Sequence, residues 1–407
     1  MILGSDFFIA NREKLREAFS GTAPIVLSGN FLMQKSADTA FEFAQDSNFW
    51  YLTGLNEPGL ILVIDGDKEY IILPKNDKTR EVFDGLFDTE HAKQISGIDT
   101  FYDQKEGWKQ VSKKIQKVKH VATVQPFTAF VESMSMFTSP AKAKLVEKIK
   151  IINPEIDFID LRKILVNLRS IKTTEEINLV KQAIAETARL YTALEKKRKT
   201  AGNEKELMAE AQKFMTTNDL DFAYAPIIAG GDNANTLHYV KNNQKLDPSS
   251  PLLVDVAAKF GNYCSDITRT VCIQPTKRQK EVFAAVLDVQ NYAFSLLKPG
   301  VILKEYEEKT LEFMGEKLRE LGLVKTIETP NVREFYPHST SHFLGIDPHD
   351  AGDYEQPLQE GMILTVEPGI YIKAEQIGIR IEDDVLITTD GCEILSNKIP
   401  KDITKLA

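Results

Sequence analysis

The sequence predicts two regions of different class, an α/β domain over residues 1–160 and an α+β domain over residues 161–407. Three observations carry that division. Helix-like and strand-like pieces alternate through the first region, the pattern of a sheet with helices on its faces. In the second region a helix pair followed by strands occurs twice, which implies two similar halves facing each other across a cleft. The first of those halves contains a run, Leu252 to Thr270, that reads as a β-hairpin carrying two aspartates, Asp255 and Asp266.

In the first region Asn11–Phe19 has helical spacing, while Pro24–Leu27, Phe49–Leu52, Leu60–Ile64, Tyr70–Leu73 and His120–Val124 are apolar or β-branched and read as strands. The second region opens with Thr173-Thr-Glu-Glu176, a capping box, followed by apolar residues at Ile177, Val180, Ile184, Ala188 and Tyr191 at helical spacing. Asn203–Glu206 begins a second helix. Strand-like Ala225–Ile228 and the polar turn Gly230–Asn235 lead to the hairpin. The second half repeats the order. Thr276 with Gln279 caps a helix ended by Pro299-Gly300, Leu303–Leu321 is the next helix, and Met362–Val366, Ile370–Ile372, Gly378–Asp383 and Val385–Ile387 are strands.

In the hairpin, Leu252–Val254 and Ile267–Val271 favour strands, and Phe260-Gly261-Asn262 between them is turn chemistry. A turn centred on Phe260-Gly261 sets Asp255 opposite Asp266; a turn one residue later sets them diagonal. Either register places both carboxylates on one face. Like charges so placed destabilise the ladder unless a proton, an arginine or a metal neutralises them.

Composition narrows the partners. Of 407 residues, 43% are hydrophobic and 27% charged, which is the balance of a globular protein. The net charge of −9 argues against broad binding to nucleic acid or to an anionic membrane. Met1–Asp6 has no basic stretch ahead of an apolar one, and no apolar run reaches the length of a membrane span. Cys264, Cys272 and Cys392 are too few and too irregular for a disulfide framework or a CxxC zinc site, so a cytoplasmic location is expected.

Chemistry concentrates in the last 170 residues, where His238, His338, His342 and His349 lie beside acidic motifs. Glu367 follows an apolar strand at a Pro-Gly turn, where a carboxylate is poorly solvated unless paired. Strand alternation puts Arg380 and Glu382 on one face. Four carboxylates and one imidazole on a single cleft suit a pair of divalent cations. Such oxygen-rich coordination fits Mn²⁺, Co²⁺, Fe²⁺ or Zn²⁺, and affinity order alone does not choose among them. Two such ions acidify water and polarise a carbonyl, which is hydrolytic chemistry.

The ordered set Asp255, Asp266, His342, Glu367 and Glu382 resembles the five metal ligands of the pita-bread (M24-type) metallopeptidases, the family of methionine aminopeptidase, prolidase and aminopeptidase P. The surrounding words also match: Ser265-Asp-Ile-Thr-Arg-Thr270, His342-Phe-Leu-Gly-Ile-Asp347, Thr365-Val-Glu-Pro-Gly369 and Arg380-Ile-Glu-Asp383. Gln45-Asp-Ser-Asn-Phe-Trp-Tyr-Leu-Thr-Gly54 resembles the N-terminal domain of aminopeptidase P, so the likeness covers nearly the whole chain. It departs at Ser339, where glycine is common, and at Val256-Ala-Ala258.

The resemblance implies a creatinase-like N-terminal domain and a pseudo-two-fold pita-bread catalytic domain. It implies two metal ions, Mn²⁺ foremost, with Asp255 on one, His342 and Glu367 on the other, and Asp266 and Glu382 bridging. Glu367 would be general base to a metal-bridging hydroxide, His238 and His349 would contact substrate and the oxyanion, His338 would line the cleft, and Arg380 would back the ligands. The expected activity is Xaa-Pro aminopeptidase on peptides with proline second, in a homodimer or homotetramer. Prolidase is the alternative, and a non-catalytic module of the same fold is disfavoured because every ligand is kept.

Overall fold

A computed structural model describes residues 3–75, 81–83, 85–126 and 136–407. The chain divides into two compact units, Met1–Leu168 and Arg169–Ala407.

In the first unit the described strands form a six-stranded mixed sheet. Its order is Phe101–Tyr102, Lys68–Ile72, Ile61–Asp65, Ile25–Ser28, His120–Thr123 and Asp157–Asp160. Parallel neighbours need a crossover. Helix Thr89–Ser96 lies in the one that joins Lys68–Ile72 to Phe101–Tyr102, and helix Ala141–Ile152 in the one that joins the last two strands. Val26, Val63, Ile72, Trp108, Val111, Ile115 and Val121 make the core on this sheet. One expectation fails. Phe49–Leu52 is helical, within Ser47–Thr53. Aromatic residues favour strands, but the chain ends decide here. The Asp46 side chain accepts the Phe49 amide at 3.0 Å, and Gly54 closes the helix in the left-handed region at φ 70°.

The second unit is built from two halves, each a helix pair and strands. Helices Thr174–Arg198 and Glu204–Thr217 belong to the first, and Lys277–Leu296 and Leu303–Glu320 to the second. Both expected capping boxes form, Thr173 with Glu176 and Thr276 with Gln279. The first half pairs Ile227–Gly230, Leu252–Asp255 and Thr268–Val271 antiparallel. The second pairs Ile363–Val366, Asp383–Ile387 and Cys392–Ile394, beside a ribbon of Gly369–Ile372 and Ile377–Arg380. Helices of the second half pack Val282, Val286, Val289 and Met314 against Ile370, Ile379 and Ile381 of the ribbon region. Thr329–Phe335 is a short helix that sequence pattern did not announce.

Of the two hairpin registers, the later one forms. Asp255 faces Thr268 and Phe260 faces Tyr263, around Gly261 and Asn262 with φ of 56° and 69°. A two-residue turn with both φ positive has the twist that strands require. The expected strand Gly378–Asp383 is interrupted. Arg380 ends the pairing with Gly369, Asp383 begins a new one with Val366, and Glu382 lies in the link. Among the described residues, no helix is long and apolar enough to cross a membrane.

Candidate metal centre

Hydrogen bonds between the two halves and within the second bring the expected donors together. The Glu382 amide donates to the Thr268 carbonyl at 3.0 Å, beside the strand end that holds Asp255. The Asp266 amide donates to the Asp384 carboxylate at 3.1 Å. In the second half the Thr365 amide donates to the His342 carbonyl at 2.9 Å, and the Glu367 amide to the Thr340 carbonyl at 2.8 Å. Behind the hairpin, the buried Arg269 guanidinium donates to the Thr268 and Glu382 carbonyls at 2.9 and 2.6 Å. These contacts fasten the first half's strands to the second half's acidic link.

All nine expected site residues line one cavity of about 630 Å³: Asp255, Asp266, His342, Glu367, Glu382, His238, His338, His349 and Arg380. Donor atoms of Asp266, His342 and Glu382 lie within 4.8 Å of one another. His342 Nε2 stands 3.3 Å from Glu367 Oε1 and 3.6 Å from Asp266 Oδ2. Its Nδ1 is 3.1 Å from the Phe343 carbonyl, which can only accept, so Nδ1 carries a proton and Nε2 faces the carboxylates. Asp255 sits on the same wall with both oxygens engaged, by the Tyr224 hydroxyl at 2.5 Å and Arg380 Nη2 at 2.6 Å.

The electrostatics are those of a site built around positive charge. Burial, reinforced by the neighbouring carboxylates, pushes Asp266 and Glu382 well above the usual range. Glu367 is also penalised by burial, but His342, His338 and Arg380 outweigh it and hold the carboxyl at about 2. Burial lowers His342, yet Glu367 and Glu382 raise it to about 9. Asp384, behind the cluster, keeps one buried oxygen without a hydrogen-bond partner. Crowded buried carboxylates of this kind must take up protons or be paired with cations. One imidazole with four carboxylates is a donor set for divalent transition ions. The residues therefore fit a metal.

Around the donors lies a hydrogen-bonded frame. Arg380 donates to the Tyr371 hydroxyl at 2.9 Å and to the Thr268 hydroxyl at 3.2 Å. The Tyr371 hydroxyl, already an acceptor, gives its proton to His338 Nε2 at 2.9 Å, and His338 Nδ1 faces the Ser339 carbonyl at 2.9 Å. The Thr268 hydroxyl also reaches Glu382 Oε2, at 2.5 Å. His349, exposed at the mouth, stacks on His342 with ring centres 4.0 Å apart. Partial burial and the adjacent His342 and His238 lower its pKa to about 4. His238 lines the cavity from an exposed loop position.

Sequence reasoning missed Tyr224, Thr268 and Tyr371. Period-two alternation from Glu367 through Gly369 to Tyr371 was the available signal for the last, since Gly369 pairs with Arg380. Gly369 also makes room for that ring, because a Cβ there would stand 2.6 Å from the Tyr371 hydroxyl. Tyr224 precedes its strand and follows no period.

Residues 178–389 match metallopeptidase family M24, and residues 8–123 match the aminopeptidase P N-terminal domain. The chain is 32% identical to human Xaa-Pro aminopeptidase 3, over 97% of this chain and 82% of that protein. It is 30% identical to a Xaa-Pro aminopeptidase of Haemophilus influenzae, over 99% of this chain and 97% of the relative. Among solved structures, Escherichia coli aminopeptidase P with the inhibitor Pro-Leu superposes with a TM-score of 0.85 at 28% identity, covering 98% of this chain and 97% of the other.

Proposed function

We propose, from the premise that this chain belongs to metallopeptidase family M24 and is a metal-dependent aminopeptidase, that it removes the N-terminal residue from peptides whose second residue is proline. The observation that carries this reading is the cluster of buried carboxylates and imidazole on a cavity, in a chain matched over nearly its full length by Xaa-Pro aminopeptidases. Those relatives favour the aminopeptidase over prolidase. Residues 1–160 are read as the aminopeptidase-P-like N-terminal domain and 161–407 as the catalytic domain, in keeping with the family matches over 8–123 and 178–389.

Asp255, Asp266, His342, Glu367 and Glu382 would hold two divalent cations, Mn²⁺ foremost, with Zn²⁺, Co²⁺ or Fe²⁺ as alternatives. Bound there, the cations supply Lewis acidity toward the scissile carbonyl and toward water. Glu367 acts as general base. The Arg380 guanidinium and the bound cations would keep it ionised, so one of its oxygens can accept the proton of the attacking water and return it to the departing proline nitrogen. His238 and His349 hold the peptide and offer N–H donors to the oxygen on which charge develops. With a pKa of about 4, His349 does this as neutral imidazole at physiological pH. His338, fixed by Tyr371 and Ser339, lines the substrate side. Ile227, Leu237, Val240 and Pro348 form an apolar wall suited to a pyrrolidine ring.

The reading includes a homodimer or homotetramer in the cytoplasm. Free Cys264, Cys272 and Cys392 accord with a reducing compartment. The test compares turnover of an Xaa-Pro-Yaa tripeptide, an Xaa-Pro dipeptide and an Xaa-Ala-Yaa tripeptide, with chelator and with Mn²⁺ restored. Mn²⁺-dependent cleavage of the first alone is expected. Cleavage confined to the dipeptide would overturn the assignment.

A further inference from the structure

A carboxylate outside the donor cluster organises one wall of the cavity. Glu204, fully buried, begins helix Glu204–Thr217. Its Oε1 accepts the Gly230 amide at 2.7 Å and the Asn233 side-chain amide at 3.1 Å. Its Oε2 accepts the Tyr239 hydroxyl at 2.8 Å and the Gln244 amide at 2.7 Å. The Glu204 amide donates in turn to the Gln244 carbonyl at 2.9 Å. Both ends of segment 230–244 and its middle therefore meet on one side chain. That segment supplies Leu237, His238 and Val240 to the cavity.

The arrangement is expensive for a purely structural anchor. A buried carboxylate has a large desolvation penalty, and here four neutral donors rather than a cation compensate it. Beyond strand Ile227–Gly230 the segment has only the single 3₁₀ turn Gly231–Asn235, so no ladder sets its path. Its other side is seated on the ribbon that carries Arg380. A Cβ at Gly378 would stand 2.6 Å from the Ala234 carbonyl oxygen, so only glycine lets the two approach. Tyr239, gripped by Glu204, is the residue next to His238.

The second half repeats the device. Glu307, on helix Leu303–Glu320, accepts the Thr340 and Ser341 amides at 2.8 and 3.0 Å and the Thr340 hydroxyl at 3.0 Å. Thr340 and Ser341 lie between His338 and His342. In each half, then, a carboxylate on the second helix, fully buried in the first half and partly buried in the second, gathers the segment that presents cleft histidines.

We propose that Glu204 is a positioning residue, acting through segment 230–244 to aim His238 at the peptide. The inference rests on the reading that His238 contacts substrate. Glu204→Gln preserves shape but turns an amide donor toward the Tyr239 and Gln244 donors, so at least one loses its acceptor. Misplacement on the order of an ångström lowers kcat/KM roughly ten- to a hundredfold. We expect that loss in E204Q, shared between kcat and KM, with Mn²⁺ binding unchanged and amide hydrogen exchange across 230–244 accelerated.

A double-mutant cycle separates positioning from general damage. In a His238→Ala background, Glu204→Gln should cost much less kcat/KM than in the wild type, the remainder coming from Leu237 and Val240 of the same segment. Multiplying losses, or unchanged exchange in the segment, would overturn the inference while leaving the role of His238 intact. Wild-type kinetics in H238A would refute that role and this inference together. If E204Q does not fold, Tyr239→Phe, which removes one donor, takes its place in the same cycle with the same expected non-additivity.

Discussion

Replacing Glu382 by Gln should stabilise the chelator-stripped protein while removing its capacity to bind divalent cations. Donor oxygens of Asp266 and Glu382 lie no more than 4.8 Å apart. At that separation and an effective dielectric constant of about 20, two carboxylate charges repel by about 3.5 kcal/mol. Partial protonation relieves some of this, so the expected gain at pH 8 is about 1–3 kcal/mol. The substitution keeps its hydrogen bond, because the Thr268 hydroxyl that donates to Glu382 at 2.5 Å finds the amide oxygen instead. Burial raises the folded pKa of Glu382 above its ordinary value of 4.5. Its contribution is therefore fully present below that value and lost as pH rises through the folded pKa. In EDTA the wild type should lose stability from pH 5 to pH 8, and E382Q should lose less. Urea unfolding followed by circular dichroism reads both. Added Mn²⁺ should then stabilise the wild type by mass action and leave E382Q unmoved. The reasoning fails if E382Q is the less stable protein in EDTA at pH 8, or if Mn²⁺ stabilises the two equally.

Lys172→Met should destabilise the catalytic unit by about 3 kcal/mol. It strips a buried partner at 3.0 Å from Asp350, leaving Arg169 as that carboxylate's cation; denaturant midpoints check it. Asp350 and Asp383 should drive acid unfolding. Burial opposes their ionisation, but Arg169 with Lys172, and Arg269 with Lys401, hold both below the ordinary 3.8. That stability is present above 3.8 and lost as pH falls through the folded values, so melting temperature should drop steeply below about pH 4 and less steeply in Asp350→Asn. In the N-terminal unit, Gly54→Ala should cost about 2–4 kcal/mol. Its φ is 70° and the new Cβ would meet the Phe8 ring at 2.5 Å. Gly66→Ala, with φ 60° and open space around it, should cost only about 1 kcal/mol, the backbone penalty alone. Calorimetric melts of the two variants compare them.

Local chemistry was legible. Thr173 with Glu176 and Thr276 with Gln279 place helix starts because each box is a reciprocal contact within one turn. The hairpin was legible up to a one-residue ambiguity. Positive φ at Gly261 together with Asn262 resolved it, and a run of three turn-forming residues cannot say which pair adopts that geometry. Phe49–Leu52 misled because aromatic content was weighed above the Asp46 cap and the Gly54 stop that bracket it. Glu382 was assigned the right face for an incomplete reason, since the strand it was placed in breaks at Arg380 when the chain changes pairing partner. Tyr224, Tyr371 and Glu204 act through contacts that span 31, 33 and 40 residues, beyond the reach of any period. The donor set could be named ahead of the fold only because its ordered words resemble a family.

The central claim is that Asp255, Asp266, His342, Glu367 and Glu382 hold reactive cations. Equilibrium dialysis of chelator-stripped protein against Mn²⁺, with Xaa-Pro-Yaa turnover followed in the same samples, tests it most directly. The account predicts two ions per chain and turnover that rises with occupancy. A stripped protein that takes up no Mn²⁺, or that turns over equally well without it, would contradict the account.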